Sequence, residues 1–201
     1  TINQLSMYLY NSQAGRPLDK QRVLKPVVSF QPVAIVGMSC RFPGGIEGPR
    51  QLWEVLSSGR SVVGKVPLSR WDAAALGASD ETLAEDVIRR MQFGGFVEDL
   101  EMFDASFFRI SSAEASAMDP QQRLLLEYSY LAFADAGYSM DELRGRNVGV
   151  FVAISSPDTF ESFVRSDESP SAYSLTGVTP AVAAGRICHT FDLHGPACAY
   201  D

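Results

Sequence analysis

The sequence predicts an α/β layered domain, and three observations predict it. Val33, Ala34, Ile35 and Val36 form a short unbroken apolar run ended by Gly37, the pattern of a strand buried on both faces. Between 112 and 137 apolar residues recur at helical spacing, with Leu124, Leu125, Tyr128, Leu131 and Ala132 on one face. A second β-branched run, "NVGVFVAISS" at 147–156, returns to strand chemistry. Strands alternating with helices imply helices on both faces of a sheet.

Residues 1–31 are weakly patterned and interrupted by Pro17 and Pro26, so they read as an arm or linker ahead of a body at 32–201. The opening "TINQLSMYLYNSQ" has neither the cationic start nor the apolar centre of a secretory signal. A start at Thr1 is expected from a processed chain or a part of a longer one. A helix follows across "GPRQLWEVLSSGRS", with Leu52, Val55 and Leu56 on one side and Gly59 closing it. The aromatic, turn-rich stretch 66–108 predicts loops with short helices and strands. In the helical block, Asp119 is placed to cap and Pro120 to occupy a first turn, and Gly137 stops it. "PDTFESFVRSD" at 157–167 reads as a short surface helix. "TPAVAAGRICHTFDL" at 179–193 reads as a helix whose small residues permit close approach, and "HGPACAYD" as a strand. Three strands are few for an open α/β sheet, so the layered body is expected to be incomplete.

Composition narrows the function classes. The chain is 46% hydrophobic and 20% charged, ordinary for a globular protein. A net charge of −7 with scattered Lys and Arg argues against general nucleic-acid binding, which needs clustered cations. No apolar run approaches the ~20 residues of a membrane-spanning helix. Three cysteines, Cys40, Cys188 and Cys198, form no disulfide framework and suit a reducing compartment, cytoplasm or organelle interior.

Several motifs invite chemistry and are better explained structurally. "GMSCRFPGG" follows a strand as a phosphate loop should, but has neither GxGxxG nor GxxxxGK[ST], and Pro43 lacks an N–H. A tight strand exit with close backbone contacts is the expectation. Cys188, His189, His194 and Cys198 lie within eleven residues. Structural zinc needs four convergent ligands, whereas adjacent helical residues project ~100° apart. No metal site is expected, and Cys198 reads as a packed core thiol. Asp104, Glu114, Asp119, Glu127 and Asp135 read as structural carboxylates, with Glu127 placed to bond Arg123 at i, i+4. Arg186, in the small-residue helix, is expected to be partly buried with a carboxylate partner, because an unpaired buried guanidinium is too costly.

The order of these segments is far more specific than any one of them. "VAIVGMSCRFPGG", "RWD", "GGFVEDLEMFDASFFRISSAEASAMDPQQRLLLE", "VGVFVA" and "AGRICHTFDLHGPACAYD" together closely resemble the amino-terminal half of β-ketoacyl synthase domains, above all those of modular polyketide synthases. The resemblance covers 32–201. It implies the N-terminal half of a thiolase-like, layered α-β-α-β-α fold. It also implies that the acyl-accepting cysteine lies three positions beyond Asp201, with two catalytic histidines and a lysine later still. No residue of this chain then maps onto the catalytic machinery. Residues 172–190 match the segment near the family's substrate channel and dimer interface, so Thr176, Gly177, Ala184 and Arg186 are expected to make channel or interface contacts. No cofactor is expected to bind this chain directly, and the phosphopantetheine of an acyl carrier protein is implied for the complete domain.

One such half leaves a sheet and a helix layer uncovered. At ~25 cal/mol per Å² of apolar surface, exposing several hundred Å² forfeits roughly the stability of a domain. The expected partners are therefore the C-terminal half or another covering protein, a second copy in a homodimer, and an acyl carrier protein. Two functions follow: part of a condensing enzyme, or a non-catalytic ketosynthase-like subunit of a larger complex, organellar or membrane-associated. Unbroken strand and helix patterns favour the first.

Overall fold

The computed structural model describes residues 32–73, 75, 84–155 and 171–200. The chain divides into two units, Thr1–Ala34 and Ile35–Asp201, and the described residues belong almost wholly to the second. The expected arm at 1–31 and surface helix at 157–167 lie outside the described residues.

Helix α1 (Pro49–Ser58) starts where Pro49 supplies a fixed φ and no orphaned N–H. It ends as expected at Gly59, whose φ of 65° only glycine adopts cheaply. Val55 is its buried residue, whereas Trp53 and Leu56 are exposed. Strand β1 (Gly64–Lys65), helix α2 (Glu85–Met91) and strand β2 (Phe93–Gly94) follow, β1 and β2 pairing antiparallel. Glu85 and Asp86 in the first turn of α2 and Arg89 and Arg90 in the last complement its dipole.

The helical block separates into α3 (Ser112–Ala117) and α4 (Pro120–Asp135). Pro120 disfavours helical backbone at Asp119, which is extended (ψ 137°) and turns its carboxylate onto the Gln121 N–H at 2.7 Å. Helix α5 (Met140–Leu143) opens with a capping box, the Ser139 hydroxyl accepting from the Glu142 N–H and the Glu142 carboxylate from the Ser139 N–H.

Strand β3 (Val150–Ala153) leads through α6 (Ser174–Val178) and α7 (Pro180–Phe191) to β4 (Ala197–Tyr200). The two strands are parallel, with Val150 opposite Ala197 and Ala153 opposite Tyr200. Helix α7 lies across both strands and against α4. Ala183, Ala184 and Ile187 give it a narrow buried face, and Phe191 meets Phe133 edge-on at 5.3 Å. Leu126, Phe191, Val150, Val152, Leu143 and Leu193 belong to one core. Asp192, left-handed at φ 54°, ends α7, slightly short of the expected boundary at 193.

One expectation is overturned. Residues 33–36 are not a strand buried on both faces: they form no strand, and Ile35 and Val36 are 81% and 68% exposed. A strand exists only by pairing, and the following residues lie along α4 instead of beside β3 or β4. The Met38 N–H donates to Asp135 Oδ2 at 2.8 Å, and Ser39 Oγ donates to the Tyr128 carbonyl at 2.6 Å. The close approach expected near Gly37 is present, since a Cβ there would sit 2.2 Å from the Ala132 oxygen. The turn at Gly44 and Gly45 also holds, both at positive φ, with Phe42 bridging Ile46.

The sheet is covered on one side. Val150 and Val152 point into the core, while Phe151 (62% exposed) and Tyr200 (57%) face outward. Among the described residues, nothing covers that face.

Candidate functional site

The polar centre of the described body is a buried network joining four helices. Arg186 on α7 reaches the Glu114 carboxylate on α3, and the two side chains are 10% and 24% exposed. Its Nε also donates to Gln122 Oε1 on α4 at 3.0 Å. The other end of the Gln122 amide donates to the Thr176 and Thr179 carbonyls, each at 3.2 Å. The Asp119 N–H donates to the Gly177 carbonyl at 2.9 Å. The short helix α6 and the start of α7 are thereby held onto the α3–α4 junction by three donors.

Gly177 is at this junction for steric reasons. A Cβ there would lie 1.9 Å from the Ala117 carbonyl oxygen, a contact no side chain permits. A small cleft opens beside it, lined by Asp119, Gln122, Ile154, Val178 and Pro180.

The four residues expected to make channel or interface contacts do come together on α6 and α7, but their exposure differs. Ala184 is 1% exposed and packs in the core, and Gly177 is buried against Ala117. Arg186 has the expected carboxylate partner and spends its guanidinium on the network. Thr176 alone of the four is exposed, flanked by Tyr173 and by Leu175, which is 67% exposed. Sequence reading missed Gln122. A glutamine in a first helical turn reads as solvated, and only its place in the specific "DPQQR" run could have singled it out.

The carboxylates take structural roles. Asp104 Oδ1 accepts from the Phe107 N–H, Asp119 caps α4, and Asp135 holds Met38. Burial pushes the Glu127 carboxyl above its ordinary value, against the pull of Arg41 and Arg123 and a bond from the Asp104 backbone. The expected Arg123–Glu127 bond is not made. Arg123 Nη1 instead donates to the Glu101 carbonyl at 3.4 Å, drawn off the helix by the neighbouring loop.

Burial also pushes the Cys188 thiol up, away from the thiolate a nucleophile needs. Cys198 is half-buried in β4 opposite Phe151, less enclosed than a core thiol because it lies on the uncovered sheet. His189 and His194 are both exposed, and His194 Nε2 pairs with Asp192 at 3.1 Å. Among the described residues, no three His, Cys, Asp or Glu side chains converge as metal ligands, and no helix is long and apolar enough to cross a membrane.

A parallel strand pair crossed by a small-residue helix, with that helix clamped to a Pro-started neighbour, defines a layered α/β scaffold. The chain belongs to the β-ketoacyl synthase family, whose N-terminal domain profile matches residues 30–201. It is similar to the highly reducing polyketide synthase PKS6 of Gibberella zeae, 41% identical over 180 residues covering 86% of this chain and 7% of that protein. It is also similar to polyketide synthase GfsA of Streptomyces halstedii, 44% identical over 177 residues covering 88% of this chain and 2% of that protein.

Among solved structures, the ketosynthase from module 6 of the bacillaene synthase of Bacillus subtilis matches with a TM-score of 0.65 and 34% identity. The match covers 84% of this chain and 26% of that one. The oxazolomycin ketosynthase domain of Streptomyces albus gives a TM-score of 0.67 and 30% identity, over 83% of this chain and 29% of that one. The fold is thus the N-terminal half of the thiolase-like architecture. The chain spans a small fraction of these curated relatives and about a quarter of these solved ketosynthase chains.

Proposed function

We propose that this chain supplies the N-terminal half of a polyketide-synthase ketosynthase, the domain that joins acyl units by decarboxylative Claisen condensation. The observation carrying the reading is the α3–α4–α6–α7 clamp. The motif "DPQQRLLLE" and the segment "AGRICHTFDLHGPACAYD", 64 residues apart at Gln122 and Arg186, meet there in one hydrogen-bonded unit. On this reading the nucleophilic cysteine, the two histidines and the lysine belong to sequence that follows β4, and these residues form the scaffold presenting them. The exposed faces of Phe151 and Tyr200 would be covered by that following half and by a second copy. An acyl carrier protein would deliver substrates on its phosphopantetheine arm, with no cofactor held by the residues described.

The test is acyl transfer from a thioester to protein, followed by condensation with a malonyl thioester. Two chains are compared: these 201 residues alone, and the longest natural chain containing them. The longer chain is expected to become acylated and to turn over, and the shorter to do neither. Acylation of Cys40, Cys188 or Cys198 with turnover would overturn the reading.

A further inference from the structure

We infer that the cavity between the turn at 105–110, helix α5 and the last turn of α7 is a binding site for a small organic anion, a carboxylate or phosphate carried on an apolar body. The cavity has a volume of about 270 Å³ and shares no lining residue with the Gln122–Arg186 network. That size suits a small ligand. Part of its lining is apolar and held in place, since Phe108 is 7% exposed and stacks on Phe103 at 5.4 Å, and Met140 adds to it. Another part is cationic. Arg109 and Arg144 both line the cavity, against the single carboxylate of Asp141, which pairs with Arg144 at 3.4 Å. Two guanidinium groups and one carboxylate leave an excess of one positive charge there, in a chain whose net charge is −7.

The excess charge belongs to Arg109, whose guanidinium has no hydrogen-bond or ion-pair partner among the described residues. The Thr190 hydroxyl, also on the lining, makes no side-chain hydrogen bond among them either. The backbone shows that Arg109 is kept at a cost. Its φ is 57°, in a turn where its N–H donates to the Ser106 carbonyl and the Ile110 N–H to the Ala105 carbonyl. Glycine would close that turn without strain. The other described non-glycine residues at positive φ, Asp99 and Asp192, are aspartates, a type that tolerates the left-handed region, whereas arginine has no such local compensation. A side chain retained against backbone strain points to a role for it. The two parts of the lining specify the ligand together. A neutral apolar molecule would cover Arg109 without pairing it, and a bare inorganic ion would leave Phe108 and Met140 unused. Guanidinium groups match carboxylate and phosphate oxygens alike.

Titration calorimetry on the longest natural chain containing these residues tests the site with four probes. Phenyl phosphate and phenylacetate carry the whole chemistry, while inorganic phosphate and benzyl alcohol each carry one half of it. At least one of the two whole probes is expected to bind saturably, with a dissociation constant of about 1 mM or tighter. Each half is expected to bind about tenfold more weakly or worse, and the tighter of the two whole probes assigns the head group as phosphate or carboxylate. Arg109→Gly is the decisive variant. It removes the guanidinium and relieves the left-handed strain, so Tm should hold or rise while affinity falls about tenfold or more.

Absence of saturable binding would overturn the site, and so would a half probe that binds as tightly as the whole. Binding elsewhere on the longer chain would survive Arg109→Gly, so an unchanged affinity in that variant also overturns it. Should the glycine variant not fold, Arg109→Gln removes the same charge at nearly the same length, and its affinity decides. These measurements read binding alone, so their outcome does not depend on acyl transfer.

Discussion

The guanidinium of Arg186 on α7 is bound by the carboxylate of Glu114 on α3, 72 residues earlier in the chain. The pair is mostly shielded from water, so its value to the fold lies less in Coulomb attraction than in what its loss would strand. Glu114→Ala leaves Arg186 buried with, among the described residues, Gln122 alone to accept from it, and is expected to cost about 3 kcal/mol of stability by urea denaturation. Glu114→Leu with Arg186→Met removes both charges and is expected to cost less than Glu114→Ala alone. A double variant less stable than the single one would show that the pair contributes net attraction.

Two glycines separated by eight positions should respond in opposite directions. Gly177→Ala drives a methyl into the Ala117 carbonyl, and the α3–α6 contact must open. The expected loss is about 2 kcal/mol or more, the scale of overpacking. Gly185→Ala, in the middle of α7 with nothing within 4 Å of the added Cβ, should gain up to about 1 kcal/mol from helix propensity. Thermal unfolding of the two variants side by side checks both signs.

Asp119 is 5% exposed and caps α4 through the Gln121 N–H. Asp119→Ala orphans that donor and is expected to cost about 1 kcal/mol, whereas Asp119→Asn, also a good cap, should retain most of it. Equal losses in the two variants would assign the carboxylate a role that depends on its charge.

Glu127 titrates above the ordinary value of 4.5 because burial disfavours its charged form. The native state therefore holds this proton to higher pH than the unfolded chain does. Stability from this group is present below 4.5 and declines as pH rises through the native pKa. Glu127→Gln removes the dependence, so the difference in Tm between variant and parent should shift in the variant's favour from pH 4 towards neutrality. The effect should be modest, because the side chain is still partly solvated. A difference that is flat across that range would show that Arg41 and Arg123 offset the burial completely.

Local signals were legible from sequence wherever the physics is local. Gly59 ends α1, and Pro120 with Asp119 starts α4, because backbone dihedrals and first-turn donors depend on neighbours a few residues away. The need of Arg186 for a carboxylate was legible too, since burial of a charge implies a partner. Which carboxylate was not, because Glu114 stands 72 residues away.

The failures share one cause. The run at 33–36 has strand composition, yet strandedness is a property of a pair, and in this structure the residues that follow it lie along α4. Arg123 is spaced for Glu127, but the Glu101 carbonyl, on the neighbouring loop 22 residues earlier in the chain, accepts from it instead. Gln122 was not singled out from the sequence, because its burial depends on α6 and α7 folding over it. By itself the sequence determined the family, through the order of its motifs, and the α/β class, helix ends such as Gly59 and Pro120 and the small-residue face of α7, these last set by short-range sterics and periodicity. Only the tertiary structure decided which polar groups meet, because an amide's partners depend on chain crossings that no spacing along the sequence encodes.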